Sequence, residues 1–439
     1  MLCYFYTFGC KVNICETAGM ERLLKEHGYG STNISSEADV AVINSCTVTA
    51  SGDSRVCSAL HKLRKENPDM IIVLTGCYAQ AFPEKAMELT DADIIIGTKN
   101  RSKLPELIDE YITTKQKICS VSSYGSDDSF ELLKCDHFSK NTRAFLKIQD
   151  GCNCFCTYCI IPYARGRCRS MPLNELRSAA EELADSGHRE IVLCGINLAF
   201  YGAEWDGSLL DAVKCVSETG DVRIRLGSLE PEKITDKLLS ELKEVQSFCP
   251  QFHLSLQSGS DTVLKRMNRR YTTAEYESLC NLIRKHFQNA AITTDIMVGF
   301  PGETQEEFEE TLAFSEKIGF AKIHVFRYSI RPGTAAAKMK NQVQESVKTE
   351  RMRILQNLGE NLQKKHFKSL IGHTVPVLFE REKGDGFHTG HAPDGTVVKI
   401  PEKNTKKSLR KSLFYVTIEK SDAAGCYGHL CNSSSANPT

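Results

Sequence analysis

Asp150-Gly-Cys-Asn-Cys-Phe-Cys-Thr-Tyr-Cys-Ile-Ile-Pro-Tyr-Ala-Arg165 decides how the rest of the chain is read. It follows an alternating apolar run, Ala144-Phe-Leu-Lys-Ile-Gln149, that reads as a strand. Cys152, Cys156 and Cys159 therefore sit on the loop at that strand's end, at C-x3-C-x2-C spacing. Three thiolates this close can ligate three irons of a cubane cluster and leave the fourth iron without a protein ligand. A structural zinc would want a fourth donor to close its tetrahedron. Cys154 could be offered, although a four-cysteine cage built from one short loop is strained. Disulfide bonding is the remaining reading of these thiols.

Outward from this loop, strand and helix patterns alternate for six units. Strands are expected at Ala144–Gln149, Glu190–Cys194, Val222–Leu226, Gln251–Leu256, Ile292–Val298 and Lys322–Tyr328, with helices between them such as Asn174–Ala184 and Thr304–Ile318. Parallel units with right-handed crossovers curl into a barrel or part of one. The expected fold class is α/β, with a partial (β/α)6 barrel over residues 139–368. Polar and glycine-rich stretches cluster at the strand ends, at Gly195-Ile-Asn197, Gly227–Pro231, Gln257–Ser260, Gly299–Glu303 and Arg331–Thr334. In barrels that face carries the active site. Arg165-Gly-Arg-Cys-Arg169 follows the cysteine loop, and at this face it reads as a contact for phosphate or carboxylate rather than a solvated turn.

Before the barrel, three apolar runs each end in a cysteine and lead into a helical pattern: Leu2–Cys10, Asp39–Cys46 and Met70–Cys77. A fourth run, Ala92–Gly97, lacks the cysteine, and helices follow at about Glu16–Glu26, Ala50–Glu66, Pro83–Leu89 and Leu104–Thr113. Continuous β-branched runs between helices read as a parallel sheet buried on both faces. Its strand ends share one edge, so Cys10, Cys46 and Cys77 should meet there and offer a second metal site. This gives an N-terminal parallel α/β sheet domain over 1–115. A linker over 116–138 follows, where Ser120–Ser129 shows little periodicity.

After a helix from about Val347 to Ser369, short strands at Thr374–Phe379, Gly395–Ile400 and Leu413–Ile418 fit a small β-barrel over 370–432. From Lys364 to Lys420 there are twelve Lys/Arg against six Asp/Glu. A basic barrel beside an enzyme site suits an RNA backbone. The tail from Asn432 is polar and is expected to be disordered.

The 439 residues carry 55 basic and 55 acidic side chains, so net charge argues for no class of partner and local patches must decide. No leader opens the sequence and no 18-residue apolar run occurs, so a cytoplasmic protein without a membrane partner is expected. In that setting 19 cysteines favour metal binding or catalysis over a disulfide framework. Cys57, Cys215, Cys249 and Cys280 read as small buried hydrophobes.

At the three-cysteine loop the sequence resembles the radical S-adenosylmethionine superfamily. In three further stretches, Thr7–Asn13, Asn44–Thr49 and Leu74–Gln80, it resembles that superfamily's methylthiotransferases. Phe8-Gly-Cys-Lys-Val-Asn13 is closest to the branch acting on N6-threonylcarbamoyladenosine in tRNA, the MtaB type. Arg223–Pro231, His253–Asp261 and Asp295–Glu303 continue the likeness, and the C-terminal barrel resembles a TRAM domain.

The resemblance implies two 4Fe-4S clusters and S-adenosyl-L-methionine. Cys152, Cys156 and Cys159 would hold the cluster whose open iron takes the cofactor's amino and carboxylate groups and which generates a 5′-deoxyadenosyl radical. Cys10, Cys46 and Cys77 would hold the auxiliary cluster that presents sulfur. By strand order Asn197 falls near the cofactor's amino group, Gln257 and Ser258 near its ribose, and Met297 and Val298 near its adenine. The implied reaction methylthiolates carbon 2 of the nucleoside beside the anticodon. An aromatic C–H bond is too weakly acidic for base catalysis, and no catalytic proton acceptor can be named. The scheme requires tRNA, an external electron donor and a sulfur donor.

Two positions depart from the family: Cys154, where asparagine is common, and Arg327, where proline is usual. Rival readings are the same chemistry on isopentenylated adenosine or a ribosomal protein, and a non-enzymatic iron–sulfur or zinc protein that binds RNA.

Overall fold

The computed structural model describes residues 1–125, 127–134, 142–383, 386–405 and 408–431. The tail from 432, expected to be disordered, lies outside them, as do residue 126 and residues 135–138 of the expected 116–138 linker.

The N-terminal sheet contains β1 (Leu2–Thr7), β2 (Gly30–Thr32), β3 (Val40–Ser45), β4 (Ile71–Gly76), β5 (Ile94–Ile96) and β6 (Ile118–Ser120). All are parallel, in the order β2-β1-β3-β4-β5-β6. Its helices are α1 (Lys11–Glu26), α2 (Ala50–Glu66), α3 (Cys77–Ala81), α4 (Pro83–Glu88) and α5 (Leu104–Thr114). Every residue of β3, β4 and β5 is buried, as two-sided helix cover requires. Two strands escaped the sequence reading. Gly30–Thr32 is too short and polar to show a period. Ile118–Ser120 lies in the stretch expected as linker, where pairing with β5 supplies the order that periodicity does not.

The central domain opens with β7 (Arg143–Lys147) and the two-residue β8 (Gln149–Asp150), then α6 (Ile161–Arg165) and β9 (Arg169–Ser170). Next come α7 (Leu173–Asp185), β10 (Glu190–Cys194), α8 (Leu209–Ser217), β11 (Arg223–Leu226) and β12 (Ser228–Leu229). The remainder is α9 (Asp236–Lys243), β13 (Gln251–Leu254), α10 (Asp261–Arg266), α11 (Thr273–His286), β14 (Ala291–Val298), α12 (Gln305–Ile318) and β15 (Lys322–Arg327).

The strands form two parallel segments, β11-β10-β7 and β12-β13-β14-β15. A single bridge, Ile224 to Phe248, joins them, so the barrel is an open arc of six main strands. Ile191 and Leu193 of β10 join the large core under the helices, while the alternate Val192 and Cys194 pack with Val12 of α1. The first turn of α1 therefore covers the inner face of the arc and seats the N-terminal domain against it.

After α13 (Glu345–Ser369), strands β16 (Thr374–Lys383), β17 (Phe387–His391), β18 (Val397–Pro401), β19 (Leu413–Asp422) and β20 (Gly425–Leu430) close a five-stranded barrel. Its core includes Phe367 and Leu370 from the end of α13. The closed barrel has two strands more than the sequence reading found. It is bolted to the bottom of the central arc by arginines from β11. Arg223 donates to the carbonyls of Pro376 (3.4 Å) and His391 (3.2 Å), and Arg225 to those of Pro393 (2.9 Å) and Ala392 (3.3 Å). Glu190, fully buried at the start of β10, neutralises both arginines. No helix among the described residues is long and apolar enough to cross a membrane.

Candidate active site and metal centres

The cysteine loop hangs between β8 and α6. Its entry is forced by Gly151, held at φ 71, where a Cβ would collide with the Arg167 carbonyl. Gln149 pins the base of the loop: its amide donates to the carbonyls of Asp150 and Gly151, and its carbonyl accepts from Asn197 N at 2.7 Å. Cys159 N donates to Cys156 O at 2.9 Å, closing the turn that carries both thiols.

Polar groups surround the sulfurs. Asn197 Nδ2 lies 3.5 Å from Cys152 Sγ and 3.3 Å from Cys154 Sγ, and Arg269 Nη1 is 3.2 Å from Cys156 Sγ. Hydrogen bonds from the Cys154 thiol and N–H, with the Asn197 amide, hold Cys152 down to about 7 against the effect of burial. The same interaction pushes Cys154 up. Burial also pushes Cys156 and Cys159 up.

The N-terminal triad assembles at the sheet edge. Cys10 caps α1, Cys46 follows β3 and packs against Gly9, and Cys77 opens α3. Gly76, at φ 99, makes the last turn because a Cβ would strike the Ser45 carbonyl. Cys10, Asn13 and Glu16 recur every third residue and so share one face of α1. Asn13 donates to the carbonyls of Phe8 (2.7 Å) and Ser45 (3.0 Å), stapling the Cys10 and Cys46 loops together. Burial pushes Cys77 up to about 12 and also raises Cys10.

Arg165 joins the two sites. Fully buried, it donates Nε–H to Cys77 Sγ at 3.2 Å, and its remaining nitrogens reach Glu16 (2.6 Å), Asn13 (2.7 Å) and Asp150 (3.2 Å). Lys147 (2.8 Å) and Arg101 (2.6 Å) also meet Glu16. Burial alone would raise the Glu16 carboxyl, but Arg101, Arg165 and Lys147 hold it well below the usual carboxylate range. This corrects the reading of Arg165–Arg169 as a contact for phosphate or cofactor carboxylate. Arg165 is saturated by protein partners, and Arg169 is buried over the Tyr124 ring, leaving only Arg167 exposed. A second tie runs from Arg331, which reaches Thr47 (2.7 Å) and Asp53 (2.6 Å) beside Cys46.

A cavity of about 190 Å³ opens where the domains meet. Val48 and Thr49 line it from the Cys46 loop, Tyr158 and Cys159 from the cluster loop, and Gln257, Asp295 and Met297 from the arc. Phe326, Arg327 and Ser329 line it from the end of β15 and just beyond. Of the residues expected near the cofactor, Gln257 and Met297 line this cavity and Asn197 stands at the cysteine sulfurs. The side chains of Ser258 and Val298 do not reach it. Ser258 turns its hydroxyl to Thr311 of α12 (3.3 Å), and Val298 faces the helix-side core because successive strand residues point to opposite faces. Asp295, which the sequence reading passed over, takes its place beside Met297 by the same alternation.

The donor sets fit iron–sulfur clusters. Each triad offers three thiols and one arginine N–H directed at a sulfur, and the Asn197 Oδ1 atom is buried without a protein partner beside Cys152. Among the described residues no three His, Cys, Asp or Glu side chains converge on a point that would hold one ion. A cubane does not ask for that, since each cysteine binds a different iron.

Comparison with known proteins agrees with this geometry. Residues 146–315 match the model of the Radical SAM superfamily, and residues 2–97 match Uncharacterized protein family UPF0004. The threonylcarbamoyladenosine tRNA methylthiotransferase MtaB of Bacillus subtilis is 39% identical over 93% of this chain and 91% of its own. A tRNA-2-methylthio-N(6)-dimethylallyladenosine synthase of Ehrlichia canis is 37% identical over 87% and 88%. In solved structures the fold resembles the radical S-adenosylmethionine methyltransferase TsrM of Kitasatospora setae, with a TM-score of 0.58, 13% identity, and coverage of 76% and 77%.

Proposed function

The chain belongs to the radical S-adenosylmethionine methylthiotransferases, and from that premise we propose that it methylthiolates carbon 2 of N6-threonylcarbamoyladenosine in tRNA. Membership brings S-adenosylmethionine and a 4Fe-4S cluster, and we assign that cluster to Cys152, Cys156 and Cys159. A second 4Fe-4S cluster on Cys10, Cys46 and Cys77 is part of the same proposal. The observation that carries it is the junction of the two triads: α3, which starts at Cys77, lies against α6, which starts two residues after Cys159, and Arg165 bonds across.

When bound, the clusters and S-adenosylmethionine supply the one-electron chemistry and the sulfur that an unactivated aromatic C–H bond requires. The protein's own residues hold and shield. Gln149 and Asn197 fix the cluster loop, Arg269 lies against Cys156 and is itself paired with Glu230, and the cavity between Thr49, Gln257 and Met297 would give the reacting groups room beside that loop. Ser329 closes the cavity's wall by accepting from Ala50 N at 3.0 Å. Lys399 and Lys420, on the C-terminal barrel, lie over the Tyr427 ring, and we place part of the tRNA backbone there. An external electron donor and a sulfur donor complete the reaction, which we place in the cytoplasm with its tRNA substrate.

The test is anaerobic reconstitution with S-adenosylmethionine, a reductant and tRNA carrying either threonylcarbamoyl- or isopentenyladenosine, read by mass spectrometry of the nucleosides. A 2-methylthio mark on the threonylcarbamoyl nucleoside is expected. A mark confined to the isopentenyl nucleoside would overturn the substrate assignment, and cofactor cleavage with neither mark would overturn the acceptor class.

A further inference from the structure

Arg165 uses its guanidinium completely. Nε–H faces Cys77 Sγ (3.2 Å), Nη1 faces Glu16 (2.6 Å) and Asp150 (3.2 Å), and Nη2 faces Asn13 (2.7 Å) and Glu16 (2.9 Å). A lysine, with a single donor centre, cannot span these partners. The residue lies six positions after Cys159, so it is built into the barrel's cysteine loop, yet its sulfur contact belongs to the other triad. Around it, Thr98 of the N-terminal domain donates its hydroxyl to Ala164 O at 2.5 Å and its N–H to Gln80 of α3 at 2.9 Å, tying α3 to α6. The barrel triad has its own counterpart in Arg269, whose Nη1 faces Cys156 Sγ at 3.2 Å.

We propose that Arg165 is the positioning residue that fixes the separation of the two triads and, through its bond to Cys77, makes the N-terminal cluster easier to reduce. This rests on the two-cluster part of the proposed function. An N–H directed at a ligand sulfur draws electron density from it, and such bonds are among the levers that set cluster potentials. A purely structural arginine would leave the potential where it is.

The test isolates the N-terminal cluster in a full-length protein with Cys152, Cys156 and Cys159 all replaced by alanine. Selectively ¹⁵N-arginine-labelled protein with Arg165 intact is reduced with dithionite and examined by pulsed electron paramagnetic resonance. A ¹⁵N coupling to the cluster is expected, and this readout needs no substitution at Arg165. In the same background Arg165→Lys should move the midpoint potential to more negative values. Lys147→Gln, which loosens the same ionic knot without touching sulfur, should lower thermal stability and leave the potential in place. A cluster with no ¹⁵N coupling, or the same potential in Arg165→Lys and Lys147→Gln, overturns the proposal alone. Absence of iron in the isolating background overturns the second cluster itself and takes this inference with it.

Discussion

Glu16 offers the sharpest test of how the two domains are held together. Its carboxylate is 1% exposed and meets Arg101 and Arg165 at 2.6 Å and Lys147 at 2.8 Å. Glu16→Gln preserves shape and one acceptor but removes the charge that three buried cations share. Breaking a buried ion pair costs about 3–5 kcal/mol. Asp150 still neutralises Lys147 (2.6 Å) and Arg165 (3.2 Å), and Glu131 still meets Arg101 (3.2 Å), which places the loss near the lower end, about 3 kcal/mol.

A chain with several domains does not unfold as one unit, so hydrogen exchange is the assay suited to this knot. The protected amides of α1 and of β1, β3 and β4 should exchange on the order of 100-fold faster, since about 1.4 kcal/mol is tenfold. Those of β17 and β18, in the C-terminal barrel, should hold. Glu26→Gln on the same helix removes the exposed carboxylate of a pair with Arg22 and should leave exchange almost unchanged. Equal protection in Glu16→Gln and wild type, or an equal loss in Glu26→Gln, would refute the idea that the buried charge knot locks the domains.

Other expectations follow from the same geometry. Cys156→Ser should abolish formation of 5′-deoxyadenosine, whereas Cys46→Ser should spare it and abolish the methylthio product; loss of both activities in Cys46→Ser would contradict the division of labour between the triads. Burial would raise Glu190, but Arg225 and Arg223 outweigh it and hold its carboxyl at about 2, below the unfolded value of about 4.3. Its stabilising contribution is therefore present above about pH 4.3 and lost as pH falls toward 2, by up to about 3 kcal/mol. The denaturant midpoint of wild type should exceed that of Glu190→Gln at pH 6, and the gap should narrow by pH 3; a constant gap contradicts the assignment. Lys399→Ala and Lys420→Ala should each weaken tRNA binding and reduce its salt slope by about 1, and an unchanged slope would move the RNA elsewhere.

Much of the site is local and was legible as such. A cysteine at the end of a buried strand is visible from its own few neighbours, and topology then sends Cys10, Cys46 and Cys77 to one sheet edge. The loop with Cys152, Cys156 and Cys159 needs no partner at all to be recognised. The face that lines the cavity was legible only to the nearest strand end. Gln257 and Met297 reach the cavity, but Ser258 and Val298, each one residue further along, turn their side chains into the packing. For Met297 and Val298 the two-residue period of β14 makes that choice, whereas Gln257 and Ser258 lie past the end of β13, where the left-handed backbone at Gln257 (φ 70) sets it.

What the sequence by itself determined, then, is the strand–helix order, the two cysteine triads and the family to which they belong. Tertiary structure alone decided how the two triads are tied together. The Arg165–Glu16 bond spans 149 residues and Arg331–Thr47 spans 284, and no local pattern announces either partner. Arg165-Gly-Arg-Cys-Arg169 reads, from its charge and its place after the cysteine loop, as a contact for phosphate or carboxylate. Arg165 is instead spent within the protein because α1 brings the Glu16 carboxylate to it, and a buried cation is stable only where the fold supplies its counter-charge.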